Sequence, residues 1–373
     1  MKYKKYYKNK FIFQLFLRNL QIINFYCYFY QKINLLLLFL MNKKTEIQQN
    51  FLNEIKNLIP LKTNVVYELA DILNISGDSV YRRLSGKTAL TINEIVLLCN
   101  HFKISFDIFA NANKNITFSY DSLGSDNIGF ENYLFQILED MILIEKSKNK
   151  QIIYAAIDIP IFHHFNYPEL SAFKMFYWSK EFVNVPFLRN KKFNTKHISK
   201  EFAEMGKKIY KTYCKIPSIE IWTYETVNSL IKQIEFYWDT GNFESKNDAL
   251  IVCEQAKTEI DNIKKQAENN NKIISGIKNK ESEFTLLNSD IEIGNNCIFT
   301  KKAGIESIYF SVHTFNKIKT SNKKFVKDTK SWLDNLMKKS NQISGISQIN
   351  RYKFFEKAFF KINKLYNKIK NEK

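Results

Sequence analysis

The stretch "ISGDSVYRRLSGKTALT", Ile75–Thr91, decides how the first third of the chain is read. Ser76 is a good N-cap, Val80 and Leu84 fall one helical turn apart, and Gly86 suits the left-handed residue that closes a helix. A short helix over 77–85 follows, with Val80 and Leu84 inward. Gly77, Asp78, Tyr81 and Arg82 are left facing out, flanked by Ser79 and Arg83.

Working outward, "TEIQQNFLNEIKNLI" (45–59) places Ile47, Phe51, Ile55, Leu58 and Ile59 on one helical face. Pro60 ends that helix. Asn64 caps the next, "VVYELADIL", which buries Val65, Leu69, Ile72 and Leu73. Asn74 tolerates the left-handed backbone of a tight turn. After the central helix, Thr91 and Glu94 form a capping box with Leu90 stapled on Ile95, and Ile95, Leu98 and Cys99 return to the core. "ISFDIF" (Ile104–Phe109) reads as a fifth, closing helix. A three-residue turn between the second and third helices makes this a helix-turn-helix.

On Ala70, Asn74, Ile75, Val80 and Gly86, "LADILNISGDSVYRRLSGK…LTINEIVLLCNHFKIS" resembles the N-terminal domain of phage-repressor-like (XRE/BetR-like) transcriptional regulators found in Bacteroidetes. The resemblance covers about residues 45–110, with Asn74 standing where Gly is commonest. It implies that the third helix enters the major groove of double-stranded DNA. Ser76, Gly77, Asp78, Ser79, Tyr81, Arg82, Arg83, Lys87 and Lys62 are the expected DNA-binding residues. Arg82 is suited to guanine O6 and N7 or to phosphate, and the Ser76, Gly77 and Ser79 donors to phosphate or base. Tyr81 suits a thymine methyl or a sugar. Arg83 either joins this face or pairs with an acid inside the domain. Against DNA stands the charge: residues 42–112 carry eight Lys/Arg and seven Asp/Glu, a net of +1. The alternative is an adaptor whose helical corner is structural or binds protein.

The whole chain, 373 residues with a net charge of +19, favours polyanionic partners without choosing among them. Much of that excess lies in residues 1–40, which hold seven Lys/Arg, no acid and twelve aromatics, with 34 residues from only six types. Arg18 and Lys32 leave 13 residues between them, short of the roughly 20 a spanning helix needs. This segment reads as a mis-annotated extension ahead of Met41, or alternatively as a membrane-proximal piece; no stable membrane span is expected. Without its basic residues the net charge is +12. Five cysteines with no C-x-x-C pair encode neither a disulfide framework nor a zinc site, so reduced thiols and a cytoplasmic location are expected.

Residues 111–127 read as a linker and 128–373 as an α+β sensing and oligomerisation domain. Phe130–Lys146 is an amphipathic helix, "IIYAAIDIPIF" a buried strand, and Trp178 and Trp222 core anchors. Helices follow at Thr223–Trp238 and Asn247–Asn269. In the second, Ala249, Cys253, Ala256, Ile260, Ile263 and Ala267 repeat 4-3-4-3-4, which makes either an intrachain hairpin or a homodimer seam. Strands follow, with "GNN" at 294–296 as a hairpin turn. The basic tail from Ile349 offers Phe355, Phe359, Ile362 and Leu365–Ile369 as a docking face. The histidine pair in "FHHF" (162–165) reads as packing, since no acid or thiol stands near it at metal-ligand spacing. No catalytic, cofactor or metal motif is present, so an enzyme is not expected. The expected fold class is therefore mainly α: a five-helix helix-turn-helix domain, then a mostly helical α+β domain with a small antiparallel sheet. Control is expected through an effector or protein partner of the larger domain that alters the spacing of two readers in a dimer.

Overall fold

A computed structural model describes residue 32 and residues 47–59, 63–102, 104, 106, 109, 116–121, 127–274, 277–302, 304–312 and 316–372. The chain divides into two compact units, Met1–Asn113 and Lys114–Lys373.

In the first unit, helix α1 spans 47–58, α2 Val65–Leu73, α3 Gly77–Leu84 and α4 Ile92–Phe102. Their apolar faces meet in one core of Phe51, Leu52, Ile55, Ile59, Leu69, Leu73, Val80 and Leu98. Phe51 is its centre, with the rings of Phe106 and Phe109 edge-on at 5.2 and 5.4 Å. Half of the fifth helix expected over Ile104–Phe109 lies outside the described residues, and the three that are described there carry no α-helix. A five-helix domain is therefore not shown. The expected extension 1–40 lies outside the described residues apart from Lys32.

The second unit corrects the expected fold class further. Its sheet is not small and antiparallel; among the described residues it has nine strands and is mixed, in the order β1-β8-β7-β6-β2-β3-β5-β4, with β9 also on β5. The strands are β1 Ser119–Asp121, β2 Gln151–Ala156, β3 Ser218–Trp222, β4 Asn271–Ile274, β5 Ile277–Asn288, β6 Cys297–Lys302, β7 Ile305–Val312, β8 Asn316–Thr320 and β9 Asn341–Gln342. The pairs β2–β3 and β3–β5 are parallel and the others antiparallel. Three residues of the stretch read as linker thus form β1, which pairs with β8.

Parallel neighbours need long crossovers, and the helices supply them. From β2 the chain runs through α6 (Ile161–His164), α7 (Pro168–Glu181) and α8 (Lys200–Tyr213) to β3. From β3 it runs through α9 (Tyr224–Asp239) and α10 (Lys246–Asn269) to β4 and β5. These helices, with α5 (Asn127–Glu145) and α12 (Gln348–Asn371), cover one sheet face, and α11 (Lys323–Lys338) covers the other. Alternation along β2 shows both faces at work: Ile152 and Tyr154 enter the larger core, Ile153 and Ala155 the smaller. A strand buried on both faces reads as the continuous apolar run that its sequence shows.

Strand β3 escaped the sequence reading because "SIEIW" carries an acid at a fully buried position. Glu220 is accommodated by three donors: His163 Nε2 at 2.8 Å, Trp222 Nε1 at 2.9 Å and the Tyr213 hydroxyl. The "GNN" turn is also corrected, because β5 and β6 do not pair. Residues 294–296 form a loop before β6, where Asn296 Oδ1 accepts from the Ile157 amide at 2.9 Å. The sharp reversal falls one strand later, between β6 and β7, where Gly304 takes φ +87°.

The 4-3-4-3-4 stripe of α10 is resolved in favour of the single chain. All six of its residues are at most 1 % exposed and belong to the larger core, together with Phe355, Ala358, Ile362, Leu365 and Ile369 of α12. That stripe is therefore no dimer seam, and the basic tail is a docked helix.

Candidate nucleic-acid interface

The corner formed by α2, a turn and α3 is set by local chemistry. Asn74 takes φ 51° and ψ 50°, and its amide and that of Ile75 bond back to Asp71 and Ala70. Ser76 then turns the chain into α3, its Oγ accepting from the Ser79 amide. Gly86, at φ 77°, ends the helix. Val80, 1 % exposed, ties α3 to the core, and Gly77 lies close to α2, where an added Cβ would sit 3.5 Å from Val66.

What α3 leaves exposed is Asp78, Tyr81 and Arg82, with Ser76 at its N-cap and Lys87 just beyond its end. Tyr81 is 60 % exposed. Among the described residues the Arg82 side chain makes no ion pair or hydrogen bond, and only its carbonyl is engaged, by Ser85 and Thr88. Gly77 and Ser79 are half-buried on the same helix. Lys62, the remaining expected contact, lies outside the described residues.

Arg83 takes the second of its two expected roles and pairs with an acid inside the first unit. Its Nε and Nη2 grip the two carboxylate oxygens of Glu94 at 3.1 and 2.7 Å, and Nη1 donates to the Ser79 carbonyl at 3.1 Å. The paired side chains are only 15 % and 12 % exposed. Glu94 also accepts from the Thr91 amide at 2.8 Å while Thr91 Oγ1 accepts from the Glu94 amide, so the expected capping box is present and Arg83 is built into it. Burial raises the Glu94 carboxyl, but the hydrogen bonds from Arg83 and Thr91 outweigh it and hold it below the ordinary carboxylate value. Of two adjacent arginines, one locks α3 to α4 and the other faces solvent.

Gln48 is a positioning residue that the sequence reading missed. From α1 its Nε2 donates to the carbonyls of Arg83 and Thr88, both at 2.8 Å, and its Oε1 accepts from the Leu90 amide at 2.9 Å. One side chain therefore satisfies three backbone groups of the loop after α3 and fixes where Lys87 is held. Nothing in residues 45–59 marks Gln48 as different from Gln49; only the contact 35 to 42 residues away distinguishes it.

The His163–His164 pair of the second unit offers other chemistry, and both rings are buried. His163 meets Glu220, and His164 Nδ1 meets both oxygens of Glu259 at 2.8 and 3.0 Å. Burial pushes Glu259 up to about 8 and His164 well below its ordinary value. Burial thus disfavours charge on both partners. Side chains at most 2 % exposed place both pairs in the interior, with acids that sequence distance concealed. Among the described residues no cluster of three or more metal-ligating side chains occurs, and no helix is long and apolar enough to cross a membrane. Comparison of the chain with family models, curated proteins and solved structures finds no match in any of the three.

Proposed function

We propose that this protein is a sequence-specific DNA-binding transcriptional regulator of the cytoplasm, not an enzyme, and that α3 reads the major groove. The observation that carries the reading is the division of labour on α3: its core face and Arg83 are fixed internally, while Tyr81 and Arg82 stand exposed on the other face. An unpaired guanidinium on a rigid helix, behind a helix N-terminus with Ser76 and Ser79 beside it, is the donor set that base edges and phosphates call for. Asp78 opposes phosphate unless it accepts from cytosine N4. A reader this small gains affinity from a second copy, so we include a homodimer on two half-sites about one helical turn apart.

The test is selection from a random duplex pool with the full chain, repeated with Arg82→Ala and Tyr81→Ala. An enriched motif that relaxes in both variants supports base reading by α3. Affinity falling steeply with salt supports phosphate contacts. A flat salt response with no enrichment sinks the proposal.

A second reading has its own observation. Ile92, Val96 and Leu97 of α4 are 79, 50 and 49 % exposed, an apolar surface suited to a protein partner and useless for DNA. On that reading the corner is an adaptor module. Substituting all three with serine leaves duplex selection unchanged if DNA is the partner of α3.

A further inference from the structure

The second unit holds a cavity of about 600 Å³, within the range that takes a small organic molecule. It is lined by Ile137, Met141 and Ile144 of α5, by Trp178 of α7 and Gln233 of α9, and by Tyr154 and Ile298 of the sheet. The cavity lies beyond the carboxyl end of β2, where the parallel and antiparallel halves of the sheet meet at the β6–β2–β3 junction. Open sheets commonly hold ligands outside the carboxyl ends of their strands. Exposed Ile157, Phe182, Gly294 and Asn295 border it, so it communicates with solvent.

The charges in this cavity say what it holds. Asp158 projects from the end of β2 with 14 % of its side chain exposed, its Oδ2 bonded at 2.5 Å to Lys174, which is itself fully buried behind it. Lys174 also donates to Gln233 at 2.6 Å, and Asp158 Oδ1 accepts from the Ile159 amide at 2.9 Å. Farther along, Asp140 and Lys317 pair at 3.4 Å. Each carboxylate on the lining is thus balanced by an ammonium, while the rest is aromatic and aliphatic with amide and hydroxyl groups between. A charged ligand entering here loses its hydration and meets no net opposite charge. An uncharged ligand loses little and gains the apolar walls.

We infer that this cavity is a binding site for an uncharged, mostly apolar ring compound carrying one hydroxyl or amide head, which Asp158, Gln233 and Asn296 receive. The head donates to the carboxylate oxygen that Lys174 leaves accessible, and the rings lie between Met141 and Trp178. The inference is independent of what α3 binds.

Three probes with the same rings and different charge test it: 4-phenylphenol, 4-biphenylcarboxylate and 4-biphenylmethylamine, titrated calorimetrically into the full chain at pH 7. The phenol is expected to bind at least tenfold tighter than either charged analogue. Gly294→Trp, placed at the rim where an added Cβ meets nothing within 4 Å, is expected to weaken the phenol tenfold or more with the melting temperature unchanged. Ile137→Trp fills the interior and is expected to do the same. Equal binding of the three probes, no binding of the phenol, or phenol binding that survives both variants with an unaltered fold overturns the inference.

Discussion

Replacing each of the two adjacent arginines by alanine separates a structural role from a reading role. Arg83 donates three hydrogen bonds, two of them to a carboxylate. A fully exposed pair contributes about 0–1 kcal/mol, and removing one partner of a fully buried pair costs about 3–5 kcal/mol. With the two side chains 15 % and 12 % exposed, Arg83→Ala falls between these limits, at about 2 kcal/mol. Two kcal/mol is roughly a 30-fold rise in the population of the opened first unit. Amide hydrogen exchange reads it directly at Leu90 and Thr91, whose N–H groups are held by Gln48 and Glu94. Arg82→Ala removes no internal contact and is expected to leave that exchange unchanged, within about 0.5 kcal/mol. In duplex selection below the melting range the outcome reverses: Arg82→Ala relaxes the preferred motif by about 1–3 kcal/mol at one base pair, whereas Arg83→Ala keeps it. If Arg83→Ala changes base preference while protection stays intact, or if the two variants loosen exchange equally, the assignment of their roles is wrong.

The second unit supplies further tests. Glu259, which burial raises to about 8 beside His164, is expected to tolerate Glu259→Gln within about 1 kcal/mol, because an amide N–H can take the place of an acid proton. Glu220 is the opposite case. Burial raises its carboxyl, but His163, Tyr213 and Lys272 prevail and hold it below the ordinary value; Glu220→Gln is expected to cost about 3 kcal/mol in urea unfolding, and similar losses for the two variants would refute the contrast. Burial pushes Lys272 down to about 7 from 10.5. Its folded value is depressed, so unfolding takes up a proton between those values, and the destabilisation present below pH 7 fades as pH rises. The difference in stability between the natural chain and Lys272→Met is therefore expected to grow in favour of the natural chain by up to about 1.4 kcal/mol per pH unit above pH 7. A difference that stays constant from pH 7 to 9 removes the buried lysine from the account. Gln48→Ala leaves the Thr88 carbonyl and the Leu90 amide without the Gln48 partner and the Arg83 carbonyl with the Gly86 amide alone, and a loss of about 1–3 kcal/mol is expected in the first unit, again read by exchange at Leu90.

Local signals were legible and distant partners were not. Asn74, Ser76, Gly86 and the Thr91/Glu94 box act within four residues of themselves, so their roles follow from residue type and spacing. Arg82 and Arg83 are the same residue type one position apart, and only Glu94, eleven residues on, tells them apart. The acids that meet His163 and His164 lie 57 and 95 residues away. Strand β3 was hidden by Glu220, because a buried acid looks like a surface residue until its three donors are in place. The α10 stripe was visible as a seam, but spacing on one helix carries no information on whether α12 of the same chain or a second chain fills it.

The central placement of β2 sets the order in which this protein can fold. Ile152 pairs with Ser218 on one side and with Thr300 on the other, so the middle of the sheet waits for segments far along the chain, and closing such large loops is slow. Until then Ile152–Ala156, an apolar run with both edges open, is the most adhesive segment of the nascent second unit. A chain built this way refolds more slowly than its helical first unit. Its recovery from denaturant should fall as protein concentration rises, with β2 as the first place at which two unfinished molecules join.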